Sequence, residues 1–198
     1  MSLEDIAKEI KECKKCPLHL SRTNAVPGEG NPKAEVMFIG EAPGRNEDLQ
    51  GRPFVGAAGK LLTDLLESIG LTRSEVFITN VVKCRPPHNR DPRPEEIETC
   101  FPYLERQVEL IDPKIIVALG RHSALTLLKK AGRREGSIMR IRGKILKIRL
   151  FGKVRMLMPT LHPAAALYNP KLKPLLEEDF DKLKELLGKR ERGLEEFF

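Results

Sequence analysis

The sequence has no long hydrophobic run and no tryptophan, and it contains only two glutamines. No apolar stretch approaches the roughly 18 residues that a membrane-spanning helix needs, so no membrane association is expected. The first residues, MSLEDIAKEIKEC, are charged and lack the apolar core of a secretion signal, so we expect a cytoplasmic protein. The scarcity of amides and the 32% of charged residues are typical of proteins from thermophiles, in which ion-pair networks stabilise the fold.

Common nucleotide and hydrolytic-metal motifs are also missing. Segment 51–60 (GRPFVGAAGK) resembles a P-loop, but Phe54 stands where its first glycine belongs and Leu61 replaces the Ser or Thr that binds magnesium. No G-x-G-x-x-G follows a predicted strand. No histidine pair or acidic cluster has the spacing of a hydrolytic metal site. The chemistry must therefore come from other residues.

The four cysteines are spaced as metal ligands rather than as disulfide partners. Cys13 and Cys16 form a C-x-x-C pair, and Cys84 and Cys100 follow far along the chain. In a reducing cytoplasm four thiolates can hold a tetrahedral zinc ion or a cubane iron–sulfur cluster. Structural zinc sites usually combine two short knuckles, and the half formed by Cys84 and Cys100 is too open for that. The spacing favours a [4Fe-4S] cluster, with zinc or unliganded cysteines as the alternatives.

Strand and helix patterns alternate along the chain and predict an α/β fold. Buried-strand patterns cover 35–39, 76–82 and 114–119, and runs at 144–150 and 154–158 flank Gly152 as a hairpin. Helical periodicity covers Leu3–Glu12, 59–69, Pro94–Ile111, Arg121–Lys130 and 172–187. This order predicts one domain over residues 1–190, built as a three-layer α/β/α sandwich around a mostly parallel sheet.

Three polar segments fall at the ends of predicted strands, where such sheets bind ligands. They are GEAPG after the first strand, Asn80 in the second, and Leu161-His162-Pro163 after the last. Because they come from distant parts of the chain, their common position predicts a composite site.

The segments GEAPGRNEDLQGRPFVGAAGKLL, TNVVKCRP and LHPAA, together with the four cysteines, closely resemble the family-four uracil-DNA glycosylases. This is the iron–sulfur branch of the uracil-DNA glycosylase superfamily, and the resemblance covers residues 1–188 in the family's motif order. It implies a DNA repair enzyme that hydrolyses the N-glycosidic bond of uracil and leaves an abasic site. It also implies a [4Fe-4S] cluster held by the four cysteines.

The resemblance assigns a uracil pocket to Gly40, Glu41, Ala42, Phe54, Asn80 and His162. One rigid carboxamide at Asn80 can accept from uracil N3–H and donate to O4, which cytosine cannot match. Phe54 offers a ring for stacking, and His162 offers a donor at uracil O2. In the better-known branch of the superfamily an aspartate positions the water, and the corresponding residue here is Ala42. Glu41 is therefore expected to activate the water, and Glu47 to exclude the thymine methyl.

DNA contacts are expected from two loops, in a chain of net charge +7 and pI near 9.3. Lys83 and Arg85 lie in the basic loop 83–93, and Ala166 and Leu167 in the loop expected to enter the minor groove. Nothing indicates a lysine nucleophile, so a monofunctional, monomeric enzyme acting on single- or double-stranded uracil-containing DNA is expected.

The last residues, 191–198 (ERGLEEFF), form a tail that resembles a sliding-clamp interaction box through Leu194, Phe197 and Phe198. The alternative is that these rings pack on the protein's own core. Two other functions also stay open: a non-catalytic iron–sulfur protein that senses DNA damage, and a related glycosylase with a shifted preference among deaminated bases.

Overall fold

The computed structural model describes residues 1–191 and 193, and in this part of the chain six strands alternate with nine α-helices. The strands are β1 (Glu29–Gly30), β2 (Val36–Gly40), β3 (Phe77–Asn80), β4 (Ile115–Leu119), β5 (Leu146–Leu150) and β6 (Lys153–Thr160). The helices are α1 (Leu3–Glu12), α2 (Leu18–Ser21), α3 (Arg45–Gln50), α4 (Ala57–Ser68), α5 (Pro94–Ile111), α6 (Arg121–Lys130), α7 (Ile138–Ile141), α8 (Pro163–Tyr168) and α9 (Lys173–Glu191). Short 3₁₀ turns cover Pro87–Asn89 and Pro170–Leu172.

The strands form one sheet in the order β1-β3-β2-β4-β6-β5. The four central strands are parallel, and the two edge strands pair antiparallel to their neighbours. Phe151 and Gly152 join β5 to β6, and both have positive φ, as a two-residue hairpin turn of the I′ type requires. The predicted hairpin and the mostly parallel sheet are therefore confirmed.

Alternate side chains of the central strands enter two separate hydrophobic cores. Met37 and Ile39 of β2 pack with α1, α5 and α6 on one face of the sheet. Val36 and Phe38 pack with α4, α8 and α9 on the other, where the Phe38 and Phe180 rings stack with centroids 5.9 Å apart. The predicted three-layer α/β/α sandwich is confirmed.

Helix boundaries follow local signals in the sequence. The predicted bounds of α1, α5 and α6 agree with the structure; Ser2 caps α1 and a proline opens α5. The helices α3 and α8 were not predicted, because six residues show too little periodicity. None of the described helices is long and apolar enough to cross a membrane. The tail hypothesis, including Leu194, Phe197 and Phe198, falls outside the described residues and stays a prediction.

Candidate functional site

A cleft of about 330 Å³ opens at the carboxyl ends of the parallel strands. Its lining comes from the loop after β2, the end of β3, the basic loop and the start of α8, which are far apart in sequence. Six predicted site residues line it: Glu41, Ala42, Glu47, Phe54, Asn80 and His162. The structure thus brings the predicted composite site together.

Gly40 provides the close approach that the middle of this cleft requires. It is the last residue of β2 and lies beside Asn80 in the parallel register. A Cβ atom at Gly40 would overlap the Asn80 Oδ1 and would lie 2.8 Å from the Phe54 Cζ. Any larger residue at position 40 must therefore displace the amide or the ring.

The backbone around Phe54 is strained and is held by a distant arginine. Phe54 has φ 48°, a left-handed conformation that a bulky residue adopts only when its surroundings impose it. Arg73 donates to the Phe54 carbonyl over 2.9 Å and to the Pro53 carbonyl over 2.7 Å. Gly59 leaves room for the Phe54 carbonyl, which an added Cβ would overlap. These contacts fix the ring in the cleft wall.

The Glu47 carboxylate joins two loops of the cleft. One oxygen accepts from the Gly44 N–H over 3.1 Å, and the other accepts from the N–H groups of Val55 and Gly56, each over 3.2 Å. Because these donors lie on both sides of α3, the carboxylate holds the Phe54 segment against the loop after β2. Its predicted role in base exclusion is compatible with this position and stays a prediction.

His162 is the N-cap residue of α8, and its ring faces the cleft. Its Nδ1 accepts from the Ala164 backbone N–H over 3.0 Å, and its ring stacks on Phe54 with centroids 5.5 Å apart. Burial lowers the pKa of His162 to about 4, against the opposing effect of the Glu47 carboxylate. The ring is therefore neutral near pH 7. An acceptor at Nδ1 leaves the proton on Nε2 as a donor.

Glu41 lines the mouth of the cleft next to two groups that sequence analysis did not assign to the site. His122 Nε2 lies 3.4 Å from an Asp91 oxygen and 4.0 Å from a Glu41 oxygen. Burial raises the pKa of Glu41; His122 opposes this change and Asp91 adds to it. A carboxylate with a raised pKa at a cleft wall is suited to accept a proton.

Part of the basic loop also lines the cleft, and this was missed. Asn89, Arg90 and Asp91 contribute to the lining, and Asn89 has a positive φ of 56°. Arg90 pairs in two hydrogen bonds, of 2.9 and 2.7 Å, with the buried Glu96 at the start of α5. The run PPHN in the sequence was the available signal, because proline and asparagine are typical of turns and the run begins at the end of the motif TNVVKCRP.

Two predicted DNA contacts are corrected by the structure. Lys83 is only 1% exposed, because its ammonium is hydrogen-bonded inside the protein, so it does not face DNA. Ala166 is 6% exposed and packs into the core beneath α8. Arg85, which donates to the Asn89 side chain over 2.7 Å, and Leu167, which is 48% exposed, stay candidates for DNA contact.

The four cysteines line one pocket between α1, α2, the basic loop and α5. Cys84 and Cys100 are buried, whereas Cys13 and Cys16 are partly buried, and none forms a disulfide. Arg22 donates to the Cys84 Sγ over 3.1 Å, and the Lys83 backbone N–H donates to the Cys100 Sγ over 3.3 Å. Donors aimed at sulfur are the surroundings that metal-bound thiolates require.

No three of the four cysteine sulfurs lie within 4.8 Å of one another. Among the described residues, only Glu41, Asp91 and His122 bring three or more histidine, cysteine or carboxylate ligand atoms within 4.8 Å of one another. A zinc ion with bonds of about 2.3 Å would hold its sulfurs roughly 3.8 Å apart. Each of four cysteine thiolates can bind one iron atom of a cubane cluster, so the donor set fits such a cluster.

Burial raises the pKa of the thiols at Cys16, Cys84 and Cys100, the last to about 12. Buried thiols become thiolates when a positive charge compensates them, as a metal centre does.

Comparison with known proteins agrees with this geometry. The sequence profile of the Uracil DNA glycosylase superfamily matches residues 27–187. A type-4 uracil-DNA glycosylase of Sulfurisphaera tokodaii is 61% identical over 93% of this chain and 84% of its own length. Another type-4 uracil-DNA glycosylase, from Archaeoglobus fulgidus, is 54% identical over 98% of this chain and 97% of its own length. A type-5 uracil-DNA glycosylase of Thermus thermophilus is 35% identical over 57% of this chain and 58% of its own. The chain belongs to the uracil-DNA glycosylase superfamily.

Proposed function

We propose that this protein removes uracil from DNA by hydrolysing its N-glycosidic bond, which releases free uracil and leaves an abasic site for base excision repair. The observation that carries this proposal is the convergence of Asn80, Phe54 and His162 in one cleft at the carboxyl ends of the strands. These residues supply an amide, an aromatic face and a neutral imidazole donor, which are the groups that a flipped uracil needs.

Asn80 distinguishes uracil from cytosine. Its Oδ1 accepts from uracil N3–H, and its Nδ2 donates to O4. Cytosine has no N3 proton and carries an amino group in place of O4, so it would leave both amide atoms with mismatched partners. An unmatched buried polar group costs about 1–3 kcal/mol. The Phe54 ring stacks on the same base, and Arg73 holds the Phe54 backbone through its carbonyl.

His162 stabilises the leaving group. When the bond between C1′ and N1 breaks, its electron pair moves onto uracil and spreads to O2. The Nε2–H donor is already in place, because the Ala164 N–H fixes the tautomer. A preorganised donor at a developing negative charge typically contributes about 10²–10³-fold in rate.

Glu41 accepts the proton of the attacking water. The water oxygen forms a bond to C1′, the bond to N1 breaks, and one water proton moves to the carboxylate. The uracil anion then takes up a proton from solvent. Since none of the described residues lining the cleft is a lysine, no Schiff base with the sugar is expected and the enzyme is monofunctional.

Leu167 is the residue proposed to fill the space that the flipped base leaves in the stack. It lies on α8 after His162 and is half exposed, so its side chain is free to insert between bases. Arg85 and the exposed part of the basic loop are proposed to contact phosphates near the cleft.

A [4Fe-4S] cluster held by Cys13, Cys16, Cys84 and Cys100 is the proposed cofactor. When bound it supplies cross-links between the N-terminal segment, the basic loop and α5. A site of this kind contributes directly to folding stability. The convergence of all four cysteines in one pocket supports this cofactor.

One assay separates this function from its alternatives. The purified protein is incubated with single- and double-stranded oligonucleotides that contain uracil, hypoxanthine, xanthine or no modified base, and abasic sites are cleaved with alkali. Cleavage only at uracil supports the proposal, and cleavage at another deaminated base indicates a shifted preference. Binding without release of any base would identify a non-catalytic damage sensor.

A further inference from the structure

Lys83 is buried, and none of the described carboxylates pairs with it; it lies immediately behind the residue proposed to recognise the base. Its ammonium donates to the Thr79 Oγ1 over 2.6 Å, the Asn80 carbonyl over 2.8 Å and the Gln107 Oε1 over 2.7 Å. These three acceptors use all three ammonium protons. Burial of this group among neutral acceptors only is costly.

The chain geometry explains why the Asn80 carbonyl needs this donor. The edge strand β1 pairs antiparallel with β3, with Glu29 opposite Ile78 and Gly30 opposite Phe77. Extending this register by two residues places Pro27 opposite Asn80. Proline has no N–H, so it cannot supply the ladder hydrogen bond that a neighbouring strand would normally give. The Lys83 ammonium supplies that bond instead.

Helix α5 contacts both the backbone and the side chain of Lys83. The Cys100 Sγ accepts from the Lys83 backbone N–H over 3.3 Å, and Gln107 contacts the ammonium from the same face of the helix, seven residues later. Gln107 Nε2 and Thr79 Oγ1 both donate to the Pro27 carbonyl, over 2.8 and 2.9 Å. The network of Lys83, Thr79, Gln107 and the Pro27 carbonyl is therefore closed.

The peptide that follows Asn80 is thereby held from two sides. Its carbonyl accepts from Lys83, and its N–H, which belongs to Val81, donates to the Gly40 carbonyl over 2.9 Å. Gly40 is also the residue whose missing Cβ makes room for the Asn80 amide. Rotation of this peptide would turn the carboxamide away from the base.

We propose that Lys83 is a positioning residue for base recognition: by holding the Asn80 carbonyl in place of the N–H that Pro27 lacks, it sets the orientation of the Asn80 carboxamide. This inference rests on the proposed uracil excision. It makes Lys83 act through Asn80, without touching the base or DNA. Removal of the ammonium leaves a buried carbonyl without a donor.

The test is a double-mutant cycle between Lys83→Met and Asn80→Ala, measured by single-turnover excision of uracil and by binding to an oligonucleotide carrying 2′-fluoro-2′-deoxyuridine. Methionine keeps the length of the side chain and removes its donors. Lys83→Met should lower kcat/KM about 10- to 100-fold. In the Asn80→Ala background the same change should have almost no effect, because there is no carboxamide left to orient.

Arg155→Met is the matched control. Arg155 is also a buried cation, 4% exposed, but it bonds Asp112 and the Pro113 carbonyl at the amino ends of β4 and β6, away from the cleft. The Arg155→Met substitution should lower the melting temperature of the protein and leave kcat/KM unchanged at temperatures well below melting. If Lys83→Met behaves like this control, or if its loss of activity persists fully in the Asn80→Ala background, Lys83 is merely structural and the proposal is wrong.

Two further outcomes are distinguishable. If the wild-type protein releases no uracil, the proposed function itself fails, whatever the variants do. If Lys83→Met does not fold, Gln107→Met is measured in the same cycle, since it removes one of the three acceptors that hold the ammonium. It should lower kcat/KM about 3- to 10-fold, again only when Asn80 is present.

Discussion

The Ala164 backbone N–H donates to the Nδ1 of His162 over 3.0 Å, and this bond determines what the imidazole can do in the cleft. Since Nδ1 accepts, a neutral ring must carry its proton on Nε2. The ring is kept neutral by burial, which lowers its pKa to about 4. His162 is therefore a fixed hydrogen-bond donor, and it does not need to gain or lose a proton during the reaction.

The first prediction concerns the chemical step. His162→Ala should lower the single-turnover rate of uracil excision about 10²–10³-fold, because one preorganised donor to the leaving group is lost. The affinity for uracil-containing DNA should change far less. Rate constants measured beside binding constants check this, and a variant with a normal chemical step would contradict the assigned role.

The lowered pKa of His162 also predicts a pH dependence of stability. An unfolded histidine has a pKa near 6.5 and takes up a proton below it, whereas the folded one stays neutral down to about pH 4. The free energy of unfolding should therefore fall with decreasing pH between these values, by at most about 1.4 kcal/mol per pH unit. Denaturation by guanidinium over this range should show a shallower fall for His162→Gln. An unchanged slope would indicate that the folded ring titrates normally.

The residues that line the cleft were predicted from the sequence more successfully than the buried residues that hold them in place. Asn80, Phe54 and His162 occur in short motifs, and each motif ends a strand or opens a helix, so the fold places them together. Lys83 was assigned to DNA because it begins the basic loop 83–93, and its burial was unexpected because lysines are almost never buried. Its burial depends on Pro27 and Gln107, which are distant in sequence and belong to no motif.

In the fold, too, elements with a local sequence signal were predicted, and elements that depend on contacts between distant residues were not. The helix α5 was predicted with its observed bounds, since Pro94 opens it and its apolar periodicity lasts 18 residues. The short helix α3, by contrast, spans six residues and is held by side-chain contacts that arise only in the folded protein, such as Glu47 with Val55. His122 and Asp91 likewise meet through the packing of α6 against the basic loop, which no local pattern reveals.

A third prediction tests the close approach at Gly40. Gly40→Ala should abolish most uracil excision, because the added methyl group would overlap the Asn80 amide and lie 2.8 Å from the Phe54 ring. Gly136→Ala is the control, since a Cβ at Gly136 meets nothing within 4 Å. Excision rates and melting temperatures of both variants check this. Full activity of Gly40→Ala would show that the pocket rearranges freely.

The cysteine site gives a fourth prediction. The purified protein should be brown and contain about four iron atoms and four sulfides per chain, as a cubane cluster requires. Cys84→Ala should lose the colour and melt at a lower temperature, because the basic loop is no longer tied to α1 and α5. Metal analysis and visible absorbance check this. A colourless protein with one zinc ion per chain would overturn the cluster assignment.

The last prediction separates base flipping from catalysis. Leu167 is 48% exposed on α8, five residues after His162, and is proposed to fill the gap that the flipped base leaves in a duplex. Single-stranded DNA has no paired stack to hold open, so it needs this wedge much less. Leu167→Ala should therefore slow excision from duplex DNA about 10-fold or more and slow excision from single strands only slightly, since unstacking costs a few kcal/mol per step. Leu110→Ala on α5, where the leucine is 43% exposed, should change neither rate. An equal loss on both substrates would mean that Leu167 acts inside the pocket or through the packing of α8, because only a duplex-specific loss is the signature of a wedge.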